Sequence, residues 1–320
     1  MDIGKLIGKK ENAEIFVSFV IGKNWIQAGV WQVTGGNGEL VATGTTSPWQ
    51  SNAVSFVDGA DDALASAVGT LENPPALSRV VFGLPIHWVN EGRVEREKLG
   101  LLKELWEKLE LTPAGFGIIP ESIVYMLRQK EGGGESYVLV GLGEEEIDIA
   151  VVQAGKIVET KQVARSISLG EDVIEGLTRF GMQEKLPARI ILYNRHLPEI
   201  NQARQELISW EWPSALFLHT PRIEILPPDS LITAISQSAA MEIAHVSQFQ
   251  TATQTKDALE EISRVRTDEP VTRNLEFNDE VAPVIPTAQP FEETQKTDKS
   301  VNSHTQTVMT EQLQYTTTAI

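Results

Sequence analysis

The residues with the clearest chemical pattern lie in VLVGLGEEEIDIAVV (138–152), two apolar runs joined by a glycine turn. The bare N–H groups of such a turn can cradle a phosphate. Here, however, Glu144, Glu145 and Glu146 follow the last glycine, and carboxylates stand where an anion would sit. Like charges a few ångströms apart repel. Magnesium could bridge them only with octahedral oxygen geometry, which neighbouring side chains pointing to alternate faces do not readily supply. Other reactive patterns are weaker still. His87, His196, His219, His245 and His304 have no second histidine or glutamate partner at the spacing of a zinc site. The absence of cysteine excludes disulfides, thiolate catalysis and zinc–cysteine centres. Ser136 and Ser166 lack the glycine elbow of a hydrolase nucleophile. Gly132, Gly133 and Gly134 are not followed by a lysine and a helix start, and read as a joint rather than a phosphate cradle. Trp210 and Trp212 could form an exposed binding patch, but the expectation is that one of them packs against the second half of the folded body.

The whole chain sets limits on partners. It has 320 residues and a net charge of −17, and 41% of it is apolar. Nucleic acid and anionic lipid both need clustered Lys and Arg, so the acidic balance argues against both. The apolar run Ile15–Ile21 is too short to cross a bilayer, and no other segment comes near the required length. Composition changes near residue 248. From Thr251 onward there is no Gly or Trp but much Thr and Gln. Such a segment buries too little apolar surface to offset its ordering entropy. Residues 248–320 are therefore expected to be a disordered, inert solvated tail with a short helix around Asp257–Val265 as its exception; the alternative is a tether or an extended binding motif around Val281–Phe291.

Positioning elements follow from periodicity. Apolar runs at Ile15–Ile21, Trp25–Val33, Val80–Leu84, Tyr137–Leu142, Ile147–Val152, Ile190–Tyr193 and Ala215–Leu218 predict strands. Helical spacing predicts helices at Ser55–Thr70, Gly92–Leu111, Pro120–Lys130, Leu169–Phe180, Pro198–Ser209 and Ser230–His245. Alternation of the two predicts an α/β class. An internal repeat is also visible. VSFVIGKNWIQAGVWQVTGGNGELVATG aligns with VLVGLGEEEIDIAVVQAGKIVETKQV when Gly22 is set against Gly143. Each copy runs strand, glycine turn, strand, second turn and third strand, at Gly35–Gly38 in one and Ala154–Gly155 in the other.

This duplicated plan resembles the actin-like ATPase superfamily, which has a ribonuclease H-like fold of two lobes. Within it the chain is similar to the bacterial PilM and FtsA type, the adaptors of type IV pilus and cell-division assemblies. VVFGLPIHWV, IIPESIVYML and RIEILPPDSLITAISQSAAMEIA are similar to further pieces of the fold. The resemblance implies lobe I at residues 1–134, lobe II at 135–229, a final helix returning to lobe I at 230–247, and the tail at 248–320.

The resemblance also implies a nucleotide site of three turns, each of which can be compared with this sequence. The first Asp-x-Gly turn matches Val20-Ile21-Gly22, and the second matches Gly141-Leu142-Gly143. Both keep the glycine and lose the aspartate. The adenosine glycine pair falls on Tyr193 and Asn194, where bulk replaces a close approach. Asp2, in the only Asp-x-Gly of the chain, has no strand before it. The expectation is a cytoplasmic pseudo-ATPase scaffold with no catalytic residue, cofactor or metal. Gly22, Gly141, Gly143, Tyr193 and Asn194 would then be vestiges of the ancestral site. The implied partner is the cytoplasmic segment of an inner-membrane protein, which would recruit the chain to the membrane's inner face; self-association stays open. Two alternatives stand beside it. One is an active ATPase binding ATP and magnesium through a shifted site at Glu144–Asp148; the other is a small-molecule kinase relative, which still needs a carboxylate base.

Overall fold

The computed structural model describes residues 14–50, 52–181, 184–193, 197–253 and 272–273. The chain divides into a unit of Met1–Glu276 and a second of Phe277–Ile320, and the second lies outside the described residues. In the first unit β1 (Ile15–Ile21), β2 (Trp25–Thr34) and β3 (Asn37–Pro48) form an antiparallel meander. β1 and the first part of β2 are buried on both faces, which is why they read as continuous apolar runs rather than alternating ones. α1 (Ala53–Val68) follows, capped by Asn52, whose side chain accepts the Ser55 N–H at 2.9 Å. β4 (Arg79–Leu84) then lies parallel to β1.

A 3₁₀ turn at Ile86–Trp88 leads into a small hairpin, β5 (Val89–Asn90) and β6 (Arg93–Val94). The hairpin takes the start of the helix expected from Gly92, because Glu91 and Gly92 both adopt positive φ, at 47° and 78°. α2 consequently spans only Arg96–Lys108. β7 (Thr112–Ile118), parallel to β4, and α3 (Ile119–Glu131) complete the first half. α3 ends in Gly132, Gly133 and Gly134, all at φ near +84° with open space around each.

The second half repeats this order. β8 (Tyr137–Leu142), β9 (Glu146–Gln153) and β10 (Lys156–Ala164) form a meander. α4 (Leu169–Thr178), β11 (Arg189–Tyr193), α5 (Leu197–Ser209), β12 (Arg222–Ile225) and α6 (Ser230–Thr253) follow. The first sheet runs β7-β4-β1-β2-β3 and the second β12-β11-β8-β9-β10. In both, the meander occupies one side of the first strand and two parallel strands the other. The architecture is thus a duplicated α/β unit. Ala215–Leu218 does not form the expected strand. The Leu216 and Phe217 N–H groups turn back to the Pro213 carbonyl, leaving Phe217 one isolated bridge to Leu186.

The halves interlock through their last helices. α3 and α6 lie in one apolar core with Phe16 and Trp31 of the first sheet and Tyr137 and Leu139 of the second. Phe16 and Trp31 stack at 4.6 Å, and the buried Trp31 Nε1–H donates to Ser18 Oγ at 2.8 Å. Glycines on the first sheet admit α6: a Cβ on Gly38 would stand 2.3 Å from the Ser236 carbonyl oxygen, and one on Gly83 2.7 Å from Ile235. A hydrogen bond from Ser238 Oγ to Ser122 Oγ at 3.0 Å joins α6 to α3.

α6 continues to Thr253, beyond residue 247, since its sequence contains no Gly or Pro to stop it. β13 (Thr272–Arg273) adds an antiparallel strand at the β7 edge, opposite Gly117 and Phe116. The expected helix at Asp257–Val265 and the motif at Val281–Phe291 lie outside the described residues.

Candidate functional site

The β1–β2 and β8–β9 turns face each other across a cleft of about 360 Å³. Each turn is built the same way. Gly22 N–H donates to the Trp25 carbonyl at 2.8 Å, and Gly143 N–H to the Glu146 carbonyl at 2.9 Å. A Cβ at Gly22 would stand 2.0 Å from the Trp25 ring and displace it, and one at Gly143 would stand 2.5 Å from the Glu146 carbonyl oxygen, so both glycines keep the turns tight. The residue after each third strand then closes the turn. Trp49 donates its backbone N–H to the Asn24 carbonyl at 3.0 Å and its Nε1–H to the Gly22 carbonyl at 3.0 Å. Arg165 donates its backbone N–H to the Glu145 carbonyl at 2.7 Å and an Nη1–H to the Gly143 carbonyl at 2.7 Å. The repeat seen in the sequence therefore extends to individual hydrogen bonds.

Two residues before each turn glycine stand Val20 and Gly141. Val20 is fully buried and pairs with Gln27; Gly141 pairs with Asp148. Neither position carries a carboxylate. Tyr193, at the end of β11, lies beside Gly141 and fills the space above it: a Cβ on Gly141 would meet its ring at 2.5 Å. Burial raises the Tyr193 phenol well above its ordinary range, with the nearby Asp148 charge adding to the effect. Asp148 is itself pushed up by burial, opposed by the charge of His87 and by a hydrogen bond from Gln162 at 3.0 Å. Asp148, half-buried in β9, lines the cleft.

The triple glutamate meets the other half directly. Lys23 Nζ lies 2.8 Å from Glu145 Oε2 and 3.4 Å from Glu146 Oε2, and Asn24 Nδ2 donates to Glu144 Oε2 at 2.8 Å. The Glu145 carboxylate raises the Lys23 ammonium above its ordinary value, and Lys23 in turn holds Glu145 below its own. Among the described residues no group of three His, Asp or Glu side chains could hold a metal ion.

Of the residues expected at the site, Gly22, Gly141, Gly143 and Tyr193 line one cleft, while Asn194 lies outside the described residues. Sequence reasoning missed Trp49, Arg165 and His87. The first two could have been found as the residues following each third strand in the aligned repeat. Asp2, His196 and His304 lie outside the described residues. Trp212 packs edge-on to Phe217 at 5.3 Å and donates to the Leu207 carbonyl at 3.0 Å, and Trp210 lies over Gly170. Both indoles belong to the second half's own packing.

The duplicated two-sheet fold is an actin-like fold. The chain is similar to one in a solved PilM–PilN type IV pilus biogenesis complex, with 10% identity and a TM-score of 0.51, covering 70% of this chain and 98% of that one. It is also similar to the ethanolamine utilization protein EutJ from Carboxydothermus hydrogenoformans, with 11% identity and a TM-score of 0.49 over 72% and 91% of the two chains. An inorganic polyphosphate/ATP-glucomannokinase from Arthrobacter sp. strain KM matches at 18% identity and a TM-score of 0.42, over 73% and 99%. No family model and no curated protein matches the sequence. Among the described residues no helix is long and apolar enough to cross a membrane.

Proposed function

We propose that this chain is an actin-like scaffold that has lost ATP hydrolysis and acts by binding a protein partner. The observation that carries the reading is the Lys23–Glu145 pair, which ties the two phosphate-type turns to each other. Three features point the same way. Both aspartate positions hold residues without a carboxylate, Val20 and Gly141. Tyr193 occupies the space over Gly141. Glu144, Glu145 and Glu146 ring the place of an anion with like charge. A magnesium triphosphate does not fit this donor set. The alternative, a shifted metal site at Glu144 and Asp148, meets side chains already engaged by Asn24 and Gln162.

The fold likeness to a chain of a PilM–PilN type IV pilus biogenesis complex supports a partner-binding role, and the partner proposed is the cytoplasmic segment of an inner-membrane protein that the sequence resemblance implies. Calorimetry of the full chain with magnesium-ATP tests the reading, and the expected result is no saturable heat. Micromolar affinity abolished by Glu144→Ala or Asp148→Ala would overturn it. Partner recovery with and without residues 248–320 tests whether the tail contributes a second tethered contact.

A further inference from the structure

The cleft is hostile to a triphosphate by charge, yet about 360 Å³ of it stays open. Its lining has two characters. Trp25, Trp49, Ile86 and Pro120 form apolar wall, while Glu144, Glu145 and Glu146 form an acidic rim with Asp148 among the lining residues. Among the described residues of the lining Lys23 is the one lysine, and carboxylates are in excess. Its ammonium already sits against Glu145 and Glu146, which shows that a primary amine suits this rim.

We infer that the cleft is a docking groove for a short basic segment of a partner protein, whose lysine or arginine stem lies along the Trp25–Trp49 wall and whose cation meets Glu144 and Asp148. Charge complementarity selects this occupant: an acidic or neutral segment gains nothing at the rim, whereas a long cationic side chain satisfies wall and rim together. Burial raises the cost of charge on Asp148, and an incoming cation offsets that cost. Lys23, held on Glu145 and Glu146 in the same open cleft, is then an internal competitor for its acidic charge. The inference rests on the scaffold reading, because a nucleotide would fill the same space.

The probe is a fluorescein-labelled dodecapeptide of alternating Lys and Leu, with a Glu-for-Lys version as control, titrated against the full chain and read by fluorescence polarization. Saturable, salt-sensitive binding of the lysine peptide and none of the glutamate peptide is expected. The combined Glu144→Gln, Glu145→Gln and Glu146→Gln variant should bind about tenfold more weakly, the scale of one or two lost charge-assisted hydrogen bonds. Lys23→Ala should bind more tightly, a change of sign that a merely structural role for Lys23 would not produce. Equal binding by the triple variant, or weaker binding by Lys23→Ala, overturns the inference. If neither the peptide nor magnesium-ATP binds, the groove falls and the scaffold reading stands. If magnesium-ATP binds with micromolar affinity, the scaffold reading itself falls.

Discussion

Trp49 and Arg165 hold the same place in the two halves of the molecule: each is the first residue after a third strand and donates from its side chain to the carbonyl of a turn glycine. One is an apolar indole and the other a cation, so no residue-type comparison relates them. The backbone relates them, because the third strand of each meander ends beside its own first turn.

That equivalence predicts unequal costs. Trp49 is buried and its bond to Gly22 is enclosed, so Trp49→Phe should cost about 1–3 kcal/mol by leaving the carbonyl without its donor. Arg165→Met acts at a more exposed carbonyl and should cost about 1 kcal/mol or less. Chemical denaturation of each variant measures both; equal, negligible losses would mean that the side chains do not hold the turns.

The Lys23–Glu145 contact should titrate on both sides. Glu145 is held below the ordinary carboxylate value, so its contribution is present above that value and lost as pH falls through the depressed one. Lys23 is raised above 10.5, so its contribution is present below that value and lost as pH rises through the raised one. Both side chains are exposed, which makes the effect small and screened by salt. The melting temperatures of the parent and Glu145→Gln should therefore differ at neutral pH in low salt and converge in acid or in molar salt. A gap unchanged by pH and salt would refute the pairing.

Gly141 and Tyr193 should be coupled. Gly141→Ala forces a methyl to within 2.5 Å of the Tyr193 ring and should cost about 1 kcal/mol. In a Tyr193→Ala background the same substitution should cost measurably less, since the obstructing ring is gone. Additive losses in the double-mutant cycle would show that the ring does not lie over Gly141.

Two glycines should respond in opposite directions. Gly38→Ala drives a Cβ to 2.3 Å from the Ser236 carbonyl, backbone that cannot move without lifting α6, and should cost about 1–3 kcal/mol. Gly100, in α2, has open space around its missing Cβ, so Gly100→Ala should stabilise by about 0.5–1 kcal/mol. Urea midpoints compare the pair directly, and a loss at Gly100 would contradict the helix assignment.

Most of the fold was legible because its signals are local. The runs Ile15–Ile21 and Tyr137–Leu142 are strands as read, and the small-residue stretch from Ser230 is a helix. The misreadings have physical causes. The run Ala215–Leu218 looks like a strand, but its N–H groups return to Pro213. The helix expected from Gly92 yields its start to a hairpin built on two positive-φ residues.

The sequence by itself determined the duplicated order of strands and helices, the two turn glycines, and the absence of a carboxylate at Val20 and Gly141, since each is a matter of residue type and short spacing. Only the tertiary structure decided what the triple glutamate does. Lys23 and Glu145 are more than a hundred positions apart, and no periodicity relates them. They meet because α3 and α6 lock the two sheets together, bringing the two first turns to opposite lips of one cleft. The seat of α6 on the glycines of the first sheet, and of Tyr193 over Gly141, was likewise decided by packing, where the missing Cβ matters only once its neighbour arrives.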